Sequence, residues 1–283
     1  MRSPYKFYLA VLLAATLAAC TLTTVVYNNA VPLASWYIDD YFDLQDEQRD
    51  FARERLARFH AWHRGSELPE YQRVLEQAIK RSAGPVSGDD VEQLYRQGRA
   101  LALRAGEYAL GDVADFLLKL DTQQIHAFEL RLAKANQKFE RERLKESAEK
   151  RVEMRAKRYI KTMEDWLGTL SSEQKQHIEI TLRDMPLTDG TRLAERKRLH
   201  GELVAALKAG SAREELIILL RVTFLVPDAS RNPAYRAEVA RWQRAMSELI
   251  AWLVDNASPQ QRQHLQTKLR GYAEDVVALQ QKH

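Results

Sequence analysis

Ser171-Ser172-Glu173-Gln174-Lys175-Gln176-His177-Ile178, running on to Thr181-Leu182-Arg183, is echoed by Ser258-Pro259-Gln260-Gln261-Arg262-Gln263-His264-Leu265, running on to Lys268-Leu269-Arg270. Six of these thirteen positions are identical. Each stretch reads as the start of a helix. A serine oxygen takes an orphan backbone N–H of the first turn, and a glutamine at the third helical position reaches back to the cap residue. Pro259 falls at the first helical position, where its missing N–H costs nothing. Fainter copies occur at Leu44-Gln45-Asp46-Glu47-Gln48 and Leu120-Asp121-Thr122-Gln123-Gln124. Counted from Gln45, Asp121, Ser171 and Ser258, all four copies place Gln three residues on (Gln48, Gln124, Gln174, Gln261). All four also place Leu eleven residues on (Leu56, Leu132, Leu182, Leu269). Gln45 is the weakest cap, with Asp46 as the alternative. The copies pair as 44/120 and 170/257 at similar separations, the pattern of a duplicated helical unit with halves about 33–165 and 166–283.

Outward from these caps, Ala, Leu, Glu, Gln, Arg and Lys fill the segments between a few Gly and Pro residues, and helix signals dominate. The pattern predicts helices near 33–43, 46–64, 68–82, 88–119, 121–167, 171–184, 190–209, 211–225, 233–256 and 258–281. Breaks are expected at Gly65, Gly84-Pro85, Gly168, Pro186, Gly210, Pro227 and Asn232-Pro233. No run alternates at period two and no hairpin signal flanks apolar strands. The fold class is all-α, a multi-helix array or bundle with 121–167 as one long central helix. That helix carries an intermittent apolar stripe (Phe128, Leu132, Phe139, Leu144, Val152, Tyr159). From Arg131 to Arg158 it holds eleven basic and five acidic residues. The plain reading is a solvated charged face; the sharper one is a surface for acidic partners or anionic lipid headgroups, weakened by salt.

The N-terminus speaks of location. Arg2 and Lys6 precede an uncharged apolar run, Phe7 to Leu17, which ends in Leu17-Ala18-Ala19-Cys20. Positive, apolar and small-residue zones in that order make residues 1–19 a signal peptide. The run is shorter than the roughly 20 apolar residues a membrane span needs. Cys20 is the only cysteine, so neither a disulfide nor a Cys-based metal site is available. The segment resembles a bacterial lipoprotein signal, with Leu17, Ala18, Ala19 and Cys20 as lipobox and Cys20 acylated. Thr21 stands where aspartate would mark inner-membrane retention, so the resemblance implies the outer membrane, facing the periplasm. Residues 20–32 form the lipidated N-terminus and a tether, and 33–283 a single all-helical periplasmic domain. Removing Arg2 and Lys6 from 43 basic residues leaves 41 against 39 acidic, and no bulk electrostatic case for nucleic acid survives. The expected partners are membrane lipid, through Cys20, and a protein partner or client in the envelope.

Chemistry is thinly marked. Asp39 and Asp43 lie four apart, on one helical face, with Asp40 beside them and Glu47 a turn on. They can hold a cation or pair with Arg49, Arg53 and Arg55, and pairing is the commoner fate of such residues. Trp36, Tyr37, Tyr41 and Phe42 are expected to seat the first helix in the core. His60 and His63 fall within one turn, and His177 and His264 are equivalent in the repeat. Two repeat-related histidines and a carboxylate would suit zinc, yet no ligand string such as His-Glu-x-x-His occurs, nor a Gly-x-Ser-x-Gly elbow, P-loop or dinucleotide fingerprint. No cofactor and no metal is expected. Asp39, Asp43, His177 and His264 are the first suspects only if the chain is an envelope hydrolase or metal-dependent enzyme.

Two resemblances add to this reading. The four glutamine copies are similar to the Leu-Thr-x-x-Gln motif of small helical periplasmic stress chaperones of the Spy/CpxP type, with Gln45, Asp121, Ser171 and Ser258 at the threonine position. That resemblance implies a helical cradle for unfolded clients. Val26-Tyr27-Asn28, Trp36-Tyr37-Ile38-Asp39-Asp40-Tyr41-Phe42-Asp43-Leu44 and Glu47-Gln48-Arg49 resemble a family of proteobacterial all-helical lipoproteins of unknown function. It implies location and fold and supplies no activity. Trp36, Asp39, Asp40, Tyr41, Asp43, Gln48, Gln124, Gln174 and Gln261 are the candidate partner-binding or family-motif positions. The resulting expectation is a lipid-anchored binding, scaffold or adaptor protein, with chaperone and enzyme as alternatives.

Overall fold

The helices begin where their caps place them in the computed structural model, which describes residues 24–226 and 233–281. They are α1 (Ala30–Phe42), α2 (Asp46–Trp62), α3 (Leu68–Arg81), α4 (Gly88–Leu117), α5 (Thr122–Arg143), α6 (Ala148–Leu167), α7 (Ser172–Arg183), α8 (Asp189–Ala209), α9 (Arg213–Leu220), α10 (Pro233–Asp255) and α11 (Pro259–Gln281). No strand occurs among the described residues, and the fold is an all-α array. Asp121 accepts from the backbone N–H of Gln123 and Gln124, Ser171 from Gln174 and Ser258 from Gln261. Gln45, not Asp46, caps α2.

Two boundaries differ from expectation. The single helix 121–167 is two, because Ser147 opens α6 by accepting from the Lys150 N–H after a turn from Leu144. The longest helix is α4, of 30 residues. At Gly65 the chain does not break: a π-helical turn, His63–Glu67, joins α2 to α3. Pro69 explains the widening. Its ring cannot accept the ordinary helical approach to the carbonyl of Gly65, four residues back, and a wider turn relieves the clash.

The four glutamines join the helix starts in pairs. Gln48 and Gln124 exchange amide bonds, Nε2 to Oε1, at 2.9 and 2.7 Å. Gln174 and Gln261 do the same at 3.1 and 2.9 Å. Each Oε1 also accepts the backbone N–H of its own cap residue: Gln45, Asp121, Ser171 and Ser258. Each Nε2 also donates to a carbonyl just ahead of the partner helix: Lys119, Asp43, Asn256 and Thr169. Every donor and acceptor of these buried amides is thereby used, which is what burial of a polar group demands. One turn beyond each glutamine stands a buried apolar residue, Ala52, Phe128, Ile178 or Leu265.

Each clasp sits beside its own core. Around 174/261, Ile178 and Leu182 of α7 pack with Leu249 and Leu253 of α10, Leu265 and Leu269 of α11 and Met163 and Leu167 of α6; Leu75, Ala78 and Ile79 of α3 close over them. Around 48/124, Phe128 and Leu132 of α5 pack with Leu110, Ala114 and Leu117 of α4, Leu203 and Leu207 of α8, and Leu216 and Leu220 of α9. Each fully buried leucine contributes about 1.5–3 kcal/mol. The first core draws on residues either side of the 165/166 division, as does the second. Helix α4 runs from one to the other, with Val91 against the first and Leu110 in the second. Residues 24–28, in the stretch expected to be a tether, are helical.

Candidate functional site

The acidic cluster at the end of α1 does not converge. Asp39 pairs with Arg49 at 3.0 Å, and Arg49 also bonds Asp46 and the Leu44 carbonyl. Asp43 ends the helix in the left-handed region (φ 54°), and its carbonyl serves Gln124. Asp40 is exposed, with its carbonyl taken by Arg131. Ion pairing and capping thus occupy this segment. The aromatic residues divide: Tyr41 and Phe42 lie against Phe128 at 6.3 and 5.3 Å between ring centroids. Trp36 and Tyr37, expected in the core, are 69% and 60% exposed. Tyr37 and Tyr41 are one turn apart on the same side, with rings 5.9 Å apart, so it is the position along the helix that decides, the last turn alone reaching Phe128.

His177 stacks on Trp252 at 3.9 Å, while the Nε2 of His264 is 3.2 Å from the Asp165 carbonyl. Each ring is spent on a different helix end. Gln48, Gln124, Gln174 and Gln261 are buried in the clasps and offer a partner no surface. Leu17, Ala18, Ala19 and Cys20 lie outside the described residues. No group of three His, Cys, Asp or Glu among the described residues is arranged to hold a metal.

His60 and His63 belong to a polar knot on the π-helical turn. The Tyr27 hydroxyl is 2.8 Å from His63 Nδ1, and His60 Nε2 is 3.0 Å from the Tyr27 carbonyl. Glu67, 2% exposed, is held by Arg104 at 2.9 Å. Burial lowers both histidine pKa values below the ordinary 6.5, with Glu67 opposing the shift at His63. The knot ties the start of the described chain to the body.

The strongest site is one that helix-by-helix reading could not assemble. Between the two cores lies an open cleft of about 550 Å³ lined by five arginines, Arg99 of α4, Arg143 of α5, Arg155 and Arg158 of α6, and Arg192 of α8. Among the described residues of the lining the one acid is Asp189, at the start of α8. Tyr159, Trp242, Tyr235 and Phe224 supply aromatic walls. Tyr159 and Trp242 pack on the first core and Leu225 on the second, which places the cleft at their junction.

Its arginines have distinct duties. Arg155 donates to the carbonyls of Leu182, Met185 and Pro186, closing the orphan end of α7, and lies 5.1 Å from the centre of the Trp242 ring. Burial lowers its pKa, with Asp189 opposing; the guanidinium stays charged at any ordinary pH. Arg192 lies 5.7 Å from the Phe139 ring, while Arg143 and Arg158 are exposed. Burial pushes the Tyr159 hydroxyl up to about 12, so it stays neutral. Guanidinium forks beside aromatic faces suit phosphate or carboxylate groups attached to a planar or apolar body. The volume falls in the range of small-molecule sites. Arg143, Arg155 and Arg158 come from the basic stretch 131–158, the one sequence signal that pointed here.

No described helix is long and apolar enough to cross a membrane. No curated protein and no solved structure matches the chain. Residues 40–224 match a family of unknown function, DUF6279, and the chain belongs to that family.

Proposed function

We propose that this DUF6279 member is a non-catalytic binding protein of the cell envelope, anchored through acylated Cys20 at the outer membrane and facing the periplasm. Its ligand enters the arginine-lined cleft and is a small anion bearing an aromatic or apolar part. The convergence of five arginines from four helices on one cleft, against a single carboxylate among the described residues, carries this reading. The lining offers donors and aromatic faces rather than a nucleophile with its base, which favours binding over catalysis. On the same footing we read the two like-built clasps as copies of a duplicated helical unit.

Titration calorimetry of the full chain with phenyl phosphate tests the ligand class. Binding is expected, weakening as salt rises. Arg158→Gln with Arg192→Gln should reduce affinity about tenfold or more, since bonds to charged groups contribute about 1.5–3 kcal/mol each. Absence of binding, or binding indifferent to both substitutions, refutes the cleft as an anion site. Fractionation of cells carrying Cys20→Ser tests the anchor: the variant should leave the membrane fraction.

A further inference from the structure

The outer face of α1 and the helical turn before it is built unlike the rest of the surface. No charged residue occurs between Cys20 and Asp39, in a chain of which 29% is charged. Along that stretch the large apolar side chains turned to water are Val25 (54% exposed), Val26 (50%), Leu33 (49%), Trp36 (69%) and Tyr37 (60%), with Asn29 and Pro32 exposed among them. Residues 26, 33 and 37 share one line along a helix, with 25 and 36 on its flank. The opposite side is occupied: Tyr27 is held by His60 and His63, and Phe42 lies on Phe128, while Tyr41, one turn beyond Tyr37 and 5.9 Å from its ring, ends the face where it meets the body. The apolar face is therefore presented by a fixed helix, for about 18 Å at 1.5 Å per residue.

We propose that this face lies in the headgroup–acyl boundary of the membrane to which the chain is anchored. The proposal rests on the Cys20 anchor of the preceding section. Four residues lie between Cys20 and Val25, a reach over five steps of at most about 18 Å, so an acylated Cys20 holds the face within touching distance of lipid. Valine and leucine beside Trp and Tyr are the side chains that settle at such a boundary. Asp39, Asp40 and Asp43 at the far end of α1 are ill suited to anionic headgroups. Contact accordingly rests on apolar insertion and holds on zwitterionic lipid at high salt. Docking at two points, acyl chains and α1, fixes how the body and its cleft are presented to the periplasm.

The test uses the full acylated protein in phosphatidylcholine vesicles carrying a spin-labelled quencher lipid. Flotation reports anchoring and tryptophan quenching reports the face. The protein should float, a fraction of its emission should be quenched equally in low and high salt, and Trp36→Phe should abolish that fraction. Leu33→Asp with Tyr37→Asp should float as before and lose quenching of Trp36. Flotation without Trp36 quenching overturns the proposal while leaving the anchor intact. Failure to float overturns the anchor, and the docking proposal with it.

Discussion

Replacing Gln174 by methionine, similar in volume but without the amide, probes the clasp directly. The side-chain amide of Gln174 takes part in four hydrogen bonds: from Ser171 N–H, to the Asn256 carbonyl, and two with Gln261. At about 1 kcal/mol net for each, the substitution should cost about 4 kcal/mol. Gln261→Met should cost the same, since Gln261 bonds Ser258 N–H and the Thr169 carbonyl besides sharing the two with Gln174. The double variant loses six bonds rather than eight, because two are held in common. It should cost about 6 kcal/mol, leaving a coupling of about 2 kcal/mol between the sites. Urea unfolding of the four proteins, followed by tryptophan emission and by circular dichroism, supplies the cycle. Single costs below about 1 kcal/mol, or strictly additive ones, would show that the clasp bonds merely replace water and that the first core holds without them.

Arg155→Met should destabilise the protein by about 3 kcal/mol at neutral pH, about one for each of the carbonyls it leaves open, Leu182 at the end of α7 and Met185 and Pro186 in the loop beyond, measurable in the same urea titration. His60 and His63 have folded pKa values below the ordinary 6.5, so the folded state binds fewer protons there. Their contribution is intact above 6.5 and is lost as pH falls from 6.5 through the folded values. Hydrogen exchange around Tyr27, corrected for its intrinsic rate, should accelerate over that window, and His60→Asn with His63→Asn should flatten the response. Gly106→Ala places a Cβ about 2.2 Å from a Leu225 methyl, so Leu225 must move. Since Leu225 lines the cleft, phenyl phosphate affinity should change while the melting temperature falls only slightly; an unchanged affinity would separate the two.

What the sequence disclosed was local. Ser171, Ser258 and Asp121 announce helix starts because a cap needs only its next three residues, and the clasp pairing 44/120 and 170/257 is visible as spacing. The end of α5 was hidden: Leu144-Lys145-Glu146-Ser147 contains neither Gly nor Pro, and only the Ser147 cap marks it. Gly65 misled in the other direction, since a π-helical turn absorbs it together with Pro69. The cleft was beyond reach because Arg99, Arg158 and Arg192 meet only through tertiary packing. Each alone is an ordinary charged residue on a helix. The exposure of Trp36 and Tyr37 was missed because the stripe that packs inward, Tyr41 and Phe42, begins one turn later.

Of the described helices α11 is made last, and it lies along α3. Gln280 bonds Gln72, and Arg262 reaches the carbonyls of Ser82 and Gly84. A chain emerging N-terminus first must therefore carry Leu75, Ala78 and Ile79 uncovered until Leu265 and Leu269 of α11 arrive. The core around 48/124 has all its helices by residue 220 and can condense early; the one around 174/261 waits on a loop of 208 residues, closed between Gln72 and Gln280. Slow, late docking of α11, with a waiting apolar stripe on α3, is the kinetic signature this topology imposes.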